Sequence, residues 1–162
     1  MAGDDRGHFN PADDVVVFRQ LFDLMPQLGW TAQPDGWIDY YNKGWYDYTG
    51  STYEDMKGWG WTSVHDPKWL PVCMEAWTEA IKTGKPCQVE FPLRRHDGVF
   101  RWFLTRINPL FNEQGQLVRW VGINTDIQDQ KDKESEEKQR TQALVELDRA
   151  KTVFFNNISH EF

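Results

Sequence analysis

The chain has 162 residues, 40% of them hydrophobic, and a net charge of -7 from 18 Lys and Arg against 25 Asp and Glu. That length holds one domain of ordinary size plus an appended element, not two full domains. An acidic balance without a basic stripe argues against a nucleic-acid partner, and no apolar run approaches the ~18 residues that cross a bilayer.

Met1 to Pro11 is polar and does not read as a signal peptide, so a cytoplasmic location without direct membrane contact is expected. Nine tryptophans all fall between Trp30 and Trp120, which places the globular part inside that window. Cys73 and Cys87 match no CxxC pattern and read as two reduced, half-buried thiols. The histidines His8, His65, His96 and His160 are too scattered to suggest a metal site.

Residues 1–12, rich in Asp and Gly, read as a disordered leader. Asp13 and Asp14 can cap a helix over 13–26 that carries Val17, Phe18, Leu21, Phe22 and Met25 on one face and ends at Pro26. Leu28–Gln33 and Trp37–Asn42 flank Pro34-Asp35-Gly36, a tight hairpin signal. Short aromatic-rich helical pieces follow, broken by Gly44, Gly50, Gly58 and Gly60. Residues 67–83 read as a longer helix, with Trp69, Leu70, Cys73, Ala76, Trp77, Ala80 and Ile81 at helical spacing, Pro67 in its first turn and Gly84 at its end.

Three strands come next. Val89, Phe91 and Leu93 alternate with polar neighbours, and His96-Asp97-Gly98 turns the chain. Phe100, Trp102 and Leu104 form one face of the next strand, Arg101, Phe103 and Thr105 the other. Asn112 to Gly115 turns it again into Leu117, Arg119, Val121 and Ile123. Proline cannot donate to a ladder, so Pro92 puts its strand at a sheet edge. The order predicts an α+β plan, a five-stranded antiparallel sheet with helices on one face.

From Ile127 the composition changes. Asp129 to Arg140 holds five acidic and four basic residues and no apolar one. Asp129/Lys133, Glu134/Lys138 and Glu136/Arg140 are acid-before-base pairs four residues apart, each supporting an exposed helix by ~0.2–0.5 kcal/mol. Asp126 is placed to cap it. Leu144, Leu147, Phe154 and Ile158, with Lys151 at one step, keep the 3-4 spacing of a two-stranded coiled coil. Continuous from 127 to 162, such a helix is about 54 Å long at ~1.5 Å per residue. So long and polar a helix points to a homodimer, joined through the N-terminal helix and this coiled coil.

The block 27–127 resembles a PAS domain with its C-terminal PAC half. The resemblance is carried by Asp35-Gly36 between the first strands, Asn42 at the end of the second, and Tyr48-Thr49-Gly50-Ser51 with Tyr53-Glu54-Asp55-Met56. It continues in Trp61-Thr62-Ser63-Val64-His65-Asp66-Pro67, with Pro and Asp exchanged from the usual order. Arg94-Arg95-His96-Asp97-Gly98, Arg101-Trp102 and Gly122-Ile123-Asn124-Thr125-Asp126-Ile127 complete it. The exit motif usually reads Asp-Ile-Thr, and Gln128 replaces the Thr. The resemblance implies a PAS fold followed by a signalling linker over 128–150, with Asp126 and Ile127 at the point of signal transmission.

Phe154-Phe155-Asn156-Asn157-Ile158-Ser159-His160-Glu161-Phe162 resembles the H-box of histidine protein kinases, the start of the phosphoacceptor helix over 151–162. The implied phosphoacceptor is His160, with Glu161 as its acid/base neighbour. An imidazole, with a pKa near ~6.5, is largely neutral and nucleophilic at cellular pH and can attack the γ-phosphorus of ATP. No Gly-rich phosphate loop or Mg-binding Asn motif is present, so the chain is expected to be inactive alone. ATP would serve a further domain of a parent kinase, and a response-regulator receiver domain would be its partner.

PAS pockets lie between the sheet and the long helix, and the resemblance makes Trp30, Tyr40, Trp77, Phe91, Trp102 and Leu104 the pocket candidates. An unidentified small molecule could sit among them, or the rings could simply fill the core. A haem PAS domain needs a histidine on the long helix, and 67–83 has none. A flavin photosensor needs Asn-Cys-Arg-Phe-Leu-Gln, and Tyr53 to Trp61 has no cysteine. Neither cofactor is expected. Two readings follow: a sensory input module that signals to His160, or a ligand-free dimerisation spacer.

Overall fold

The computed structural model describes residues 11–161, which divide into two compact units, one reaching to Asp126 and one beginning at Ile127. Most of the expected leader, residues 1–10, lies outside the described residues; Pro11 and Ala12 belong instead to the first helix. Helix α1 spans Pro11–Leu24. Proline suits a first helical position, where its missing N–H has no intrahelical acceptor to lose. The helix stops two residues before Pro26, because the residue preceding a proline is pushed out of the helical region.

Strands β1 (Leu28–Ala32) and β2 (Ile38–Tyr41) form the first hairpin. Gly36 takes φ 93° in its turn, and the Asp35 carboxylate accepts from the Trp37 N–H at 3.0 Å. Helices α2 (Lys43–Thr49) and α3 (Tyr53–Met56) and a 3-10 turn (Gly60–Val64) lead to α4 (Leu70–Thr83). The long helix therefore starts three residues later than Pro67 suggested, with a proline, Pro71, inside its first turn instead.

Strands β3 (Cys87–Arg94), β4 (Phe100–Phe111) and β5 (Leu117–Asp126) complete one antiparallel sheet in the order β2-β1-β5-β4-β3. Pro92 lies on the edge strand, as its missing donor requires. The inner face is set by pleat parity. Leu28, Trp30 and Ala32 of β1 pair with Asn124, Gly122 and Trp120 of β5, and Phe103, Thr105 and Ile107 of β4 are buried while Arg106 and Asn108 are exposed. Trp30 lies over Gly122 so closely that a Cβ there would sit 2.1 Å from the indole. Trp77 of α4 meets Trp30 and Trp120 edge-on, with ring centroids at 5.5 and 5.3 Å. Helices thus cover the inner face, as expected. Helix α1 adds cover on the outer face, where Phe22 stacks on Tyr40 and packs where a Gly29 side chain would stand.

The second unit is helix α5 (Gln128–Glu161), 34 residues and so about 51 Å at ~1.5 Å per residue. None of its residues is buried. Leu144, Leu147, Phe154 and Ile158 lie exposed along it. No helix among the described residues is long and apolar enough to cross a membrane.

Candidate functional site

Asn42 fixes how the helices meet the sheet. It is fully buried and uses its amide on four backbone groups. Its Oδ1 accepts from the N–H of Gly29 at 2.9 Å and of Trp45 at 3.1 Å, which caps α2. Its Nδ2 donates to the carbonyls of Phe22 and Gln27, each at 2.9 Å. One side chain therefore joins the end of α1, the start of β1 and the start of α2.

Between the inner face and the helices lies a cavity of about 30 Å³. Trp30, Trp77 and Phe91, three of the sequence candidates, line it. Tyr40, Trp102 and Leu104 do not, and this corrects the sequence assignment. Tyr40 pairs with Thr31, which alternates with the inward Trp30, and its hydroxyl donates to the Asp23 carboxylate at 3.1 Å. Trp102 and Leu104 alternate with the buried Phe103 and Thr105, so they face the other side of the sheet; the Trp102 ring meets Trp69 instead. Alternation along β4 offered two faces, and the more aromatic one turned outward.

The sequence reading missed the polar lining. Trp45, Trp61, His65, Thr105 and Asn124 all border the cavity. Asn124 Oδ1 accepts from Trp30 Nε1 at 3.3 Å. The other four carry buried polar atoms without a hydrogen-bond partner: Nε1 of Trp45, Nε1 of Trp61, Nδ1 of His65 and Oγ1 of Thr105. Only one further side-chain atom among the described residues, on Asp14, is in that condition. Native proteins leave few such groups, so four borne by residues that line one small void make it the candidate site. Thr105 and Asn124 could have been found in the sequence as polar residues on the inward alternation of β4 and β5. Trp45 and Trp61 carry no such signal.

His65 follows the 3-10 turn and packs between Trp61 and Phe91, with ring centroids at 5.0 and 4.4 Å. Burial among these rings pushes its pKa down to about 4, because the charged imidazolium would lose its hydration. Burial also pushes the Cys73 thiol up to about 12. Both cysteines are free, Cys73 buried and Cys87 half-buried.

The His65 shift has a stability consequence. The unfolded imidazole takes up a proton near pH ~6.5, whereas the folded one stays neutral down to about 4. Between those values the unfolded state holds more protons, so stability falls as pH drops through this window and is fully present above it. By about pH 5 the loss is ~2 kcal/mol. Urea denaturation across this range is expected to show that slope in the parent chain and not in His65→Phe. Equal slopes in both would refute the assignment.

At the end of β5 the Arg101 guanidinium grips Asp126 in a fork, Nε to Oδ2 at 2.7 Å and a terminal nitrogen to Oδ1 at 3.3 Å. The Tyr48 phenol, which donates to the Leu93 carbonyl at 2.8 Å, is pushed up to about 12 by burial and by the Asp126 charge. The Ile127 carbonyl accepts from the Lys131 N–H at 2.9 Å and opens α5. At the other end of α5, His160 and Glu161 are exposed. As neighbours on a helix they point about 100° apart. The Ser159 hydroxyl before them donates to the Asn156 carbonyl at 3.0 Å.

Comparison with known proteins places this arrangement. A family model described as the PAS fold matches residues 38–124, more than half of the chain. The uncharacterized protein y4lL of Sinorhizobium fredii is 33% identical over 117 residues, covering 72% of this chain and 14% of that protein. The peroxide stress-activated histidine kinase mak3 of Schizosaccharomyces pombe is 42% identical over 76 residues, 47% of this chain and 3% of that kinase. The chain thus spans only a small part of the curated relatives it matches. Among solved structures, a sensory box histidine kinase/response regulator from Burkholderia thailandensis superposes with a TM-score of 0.58 at 22% identity, covering 78% of this chain and 96% of that one. The chain belongs to the PAS-fold family.

Proposed function

We propose that the chain is the sensory input module of a two-component histidine kinase. The PAS domain perceives a signal in its inner cavity, and a dimeric α5 carries it to the phosphoacceptor His160 with Glu161 as acid/base neighbour. The observation that carries this reading is α5 itself. It opens two residues after β5 ends, runs unbroken to Glu161 and bears an exposed apolar stripe at coiled-coil spacing. The histidine-kinase names of relatives such as mak3 support it.

In this reading Asp126 and Ile127 are the transmission point, homodimers form through α1 and α5, and the parent acts in the cytoplasm on a response-regulator receiver domain. ATP is used by a separate domain of the parent, and the PAS domain works without haem or flavin. The chemistry at His160 is attack of a neutral imidazole nitrogen on the γ-phosphorus of ATP, with ADP leaving and a phosphohistidine formed. Incubating the chain with a histidine-kinase ATP-binding domain and labelled ATP is expected to label it, and His160→Gln to abolish the label. Label that survives in His160→Gln would rule out His160 as the acceptor.

A further inference from the structure

The cavity between sheet and helices is aromatic on its walls, and four of the residues that line it, Trp45, Trp61, His65 and Thr105, each carry a buried polar atom without a hydrogen-bond partner. We propose that it binds an uncharged, oxygen-bearing molecule of about two to four non-hydrogen atoms, held by hydrogen bonds from the Trp45 and Trp61 indoles and completed at His65 and Thr105. This ligand class rests on the sensory reading of the domain given above.

The donor set fixes the polarity. An indole Nε1–H can only donate, so two of the four points demand an acceptor. A hydroxyl donates or accepts, and so does a neutral imidazole through its choice of tautomer, so Thr105 and His65 adapt to what the ligand offers. A carbonyl or hydroxyl oxygen meets the two indoles, and an N–H or O–H on the same molecule serves His65 or Thr105.

The walls fix the charge. No Lys, Arg, Asp or Glu lines the cavity. An anion would be buried without a countercharge, and a cation would face two donors. The ring most able to supply a positive charge is itself kept neutral near neutral pH by burial. The space fixes the size. A buried water needs about 10–15 Å³ measured in the same way, and the cavity offers about 30 Å³. All four groups are buried to the same degree: Trp45 is 2% exposed, Trp61 5%, His65 5% and Thr105 1%. Leaving them unpaired would forfeit four hydrogen bonds in a low-dielectric setting, so a ligand that fills them binds with more than its apolar area.

The test follows the indole N–H signals of the chain by nitrogen-15 NMR, since each tryptophan reports its own site. Formamide, an uncharged amide of matching size, is the probe; formate is its charged counterpart and xenon its apolar one. Formamide is expected to displace the Trp45 and Trp61 signals saturably while those of Trp37, Trp59, Trp69, Trp102 and Trp120, which do not line the cavity, stay in place, and formate at neutral pH to leave all of them unmoved. Thr105→Val and Trp61→Phe should each weaken formamide binding about three- to tenfold, with the unmoved indoles reporting that the fold survives. No saturable displacement by formamide would mean a closed or water-only cavity and would overturn the proposal. So would an equal response to formate, an undiminished response in both variants, or displacement by xenon alone. Formamide binding without any change in phosphorylation of the parent would leave this site standing and count against the sensory reading instead.

Discussion

Asn42→Ala is expected to cost the PAS domain about 3–5 kcal/mol, measured by urea denaturation of the chain. The estimate adds two losses. The first is the α2 cap, typically ~0.5–2 kcal/mol. The second is the desolvation of the groups left behind: the Gly29 N–H and the Phe22 carbonyl sit where the buried Asn42 amide was their side-chain partner, and each such orphan costs ~1–3 kcal/mol. The Trp45 N–H keeps a weaker alternative, the Asn42 backbone carbonyl at 3.1 Å, so the cap is not lost outright. Asn42→Asp separates the parts. A carboxylate preserves both accepted bonds but sets its second oxygen against the carbonyls of Phe22 and Gln27, so it recovers only part of the loss. A domain is stable by only ~5–15 kcal/mol, so the alanine variant should sit close to unfolding at 37 °C. A loss below about 1 kcal/mol would contradict the role given to Asn42.

Trp77→Ala comes next, at about 3–5 kcal/mol. Its indole is 2% exposed and stands edge-on to two others, Trp30 and Trp120. Removing it opens a void that neither neighbour can close. Trp120 is fully buried, and Trp30 is pinned over Gly122 and tied through its Nε1 to Asn124. The two ring contacts add ~0.5–1.5 kcal/mol each to the burial term. Trp77→Phe should lose less than half as much, because a phenyl ring keeps part of both contacts. Equal losses for Phe and Ala would show that ring packing is not what Trp77 supplies.

Much of the fold was legible because its punctuation is chemical. Pro34-Asp35-Gly36 set the first hairpin, Pro92 placed β3 at the edge, and Gly84 closed α4 at φ 70°. The site was legible only in part. Trp30, Trp77 and Phe91 were found because inward parity coincided with aromatic character. Trp102 and Leu104 were misplaced because a strand shows two faces and burial, not composition, decides between them. Trp45, Trp61 and His65 come from α2 and the turn near the 3-10 segment, where periodicity gives no inward direction. Their convergence is a property of tertiary packing.

The most direct test of the central claim, that a state of the PAS sheet reaches His160, is the autophosphorylation rate of the full-length parent with Arg101→Ala. That change opens the fork on Asp126 at the exit of β5, and Arg101 is not among the residues lining the cavity. The expected result is a changed basal rate or a lost signal response, with all label still on His160. An unchanged rate and an unchanged response, in a protein whose PAS domain remains folded, would contradict it.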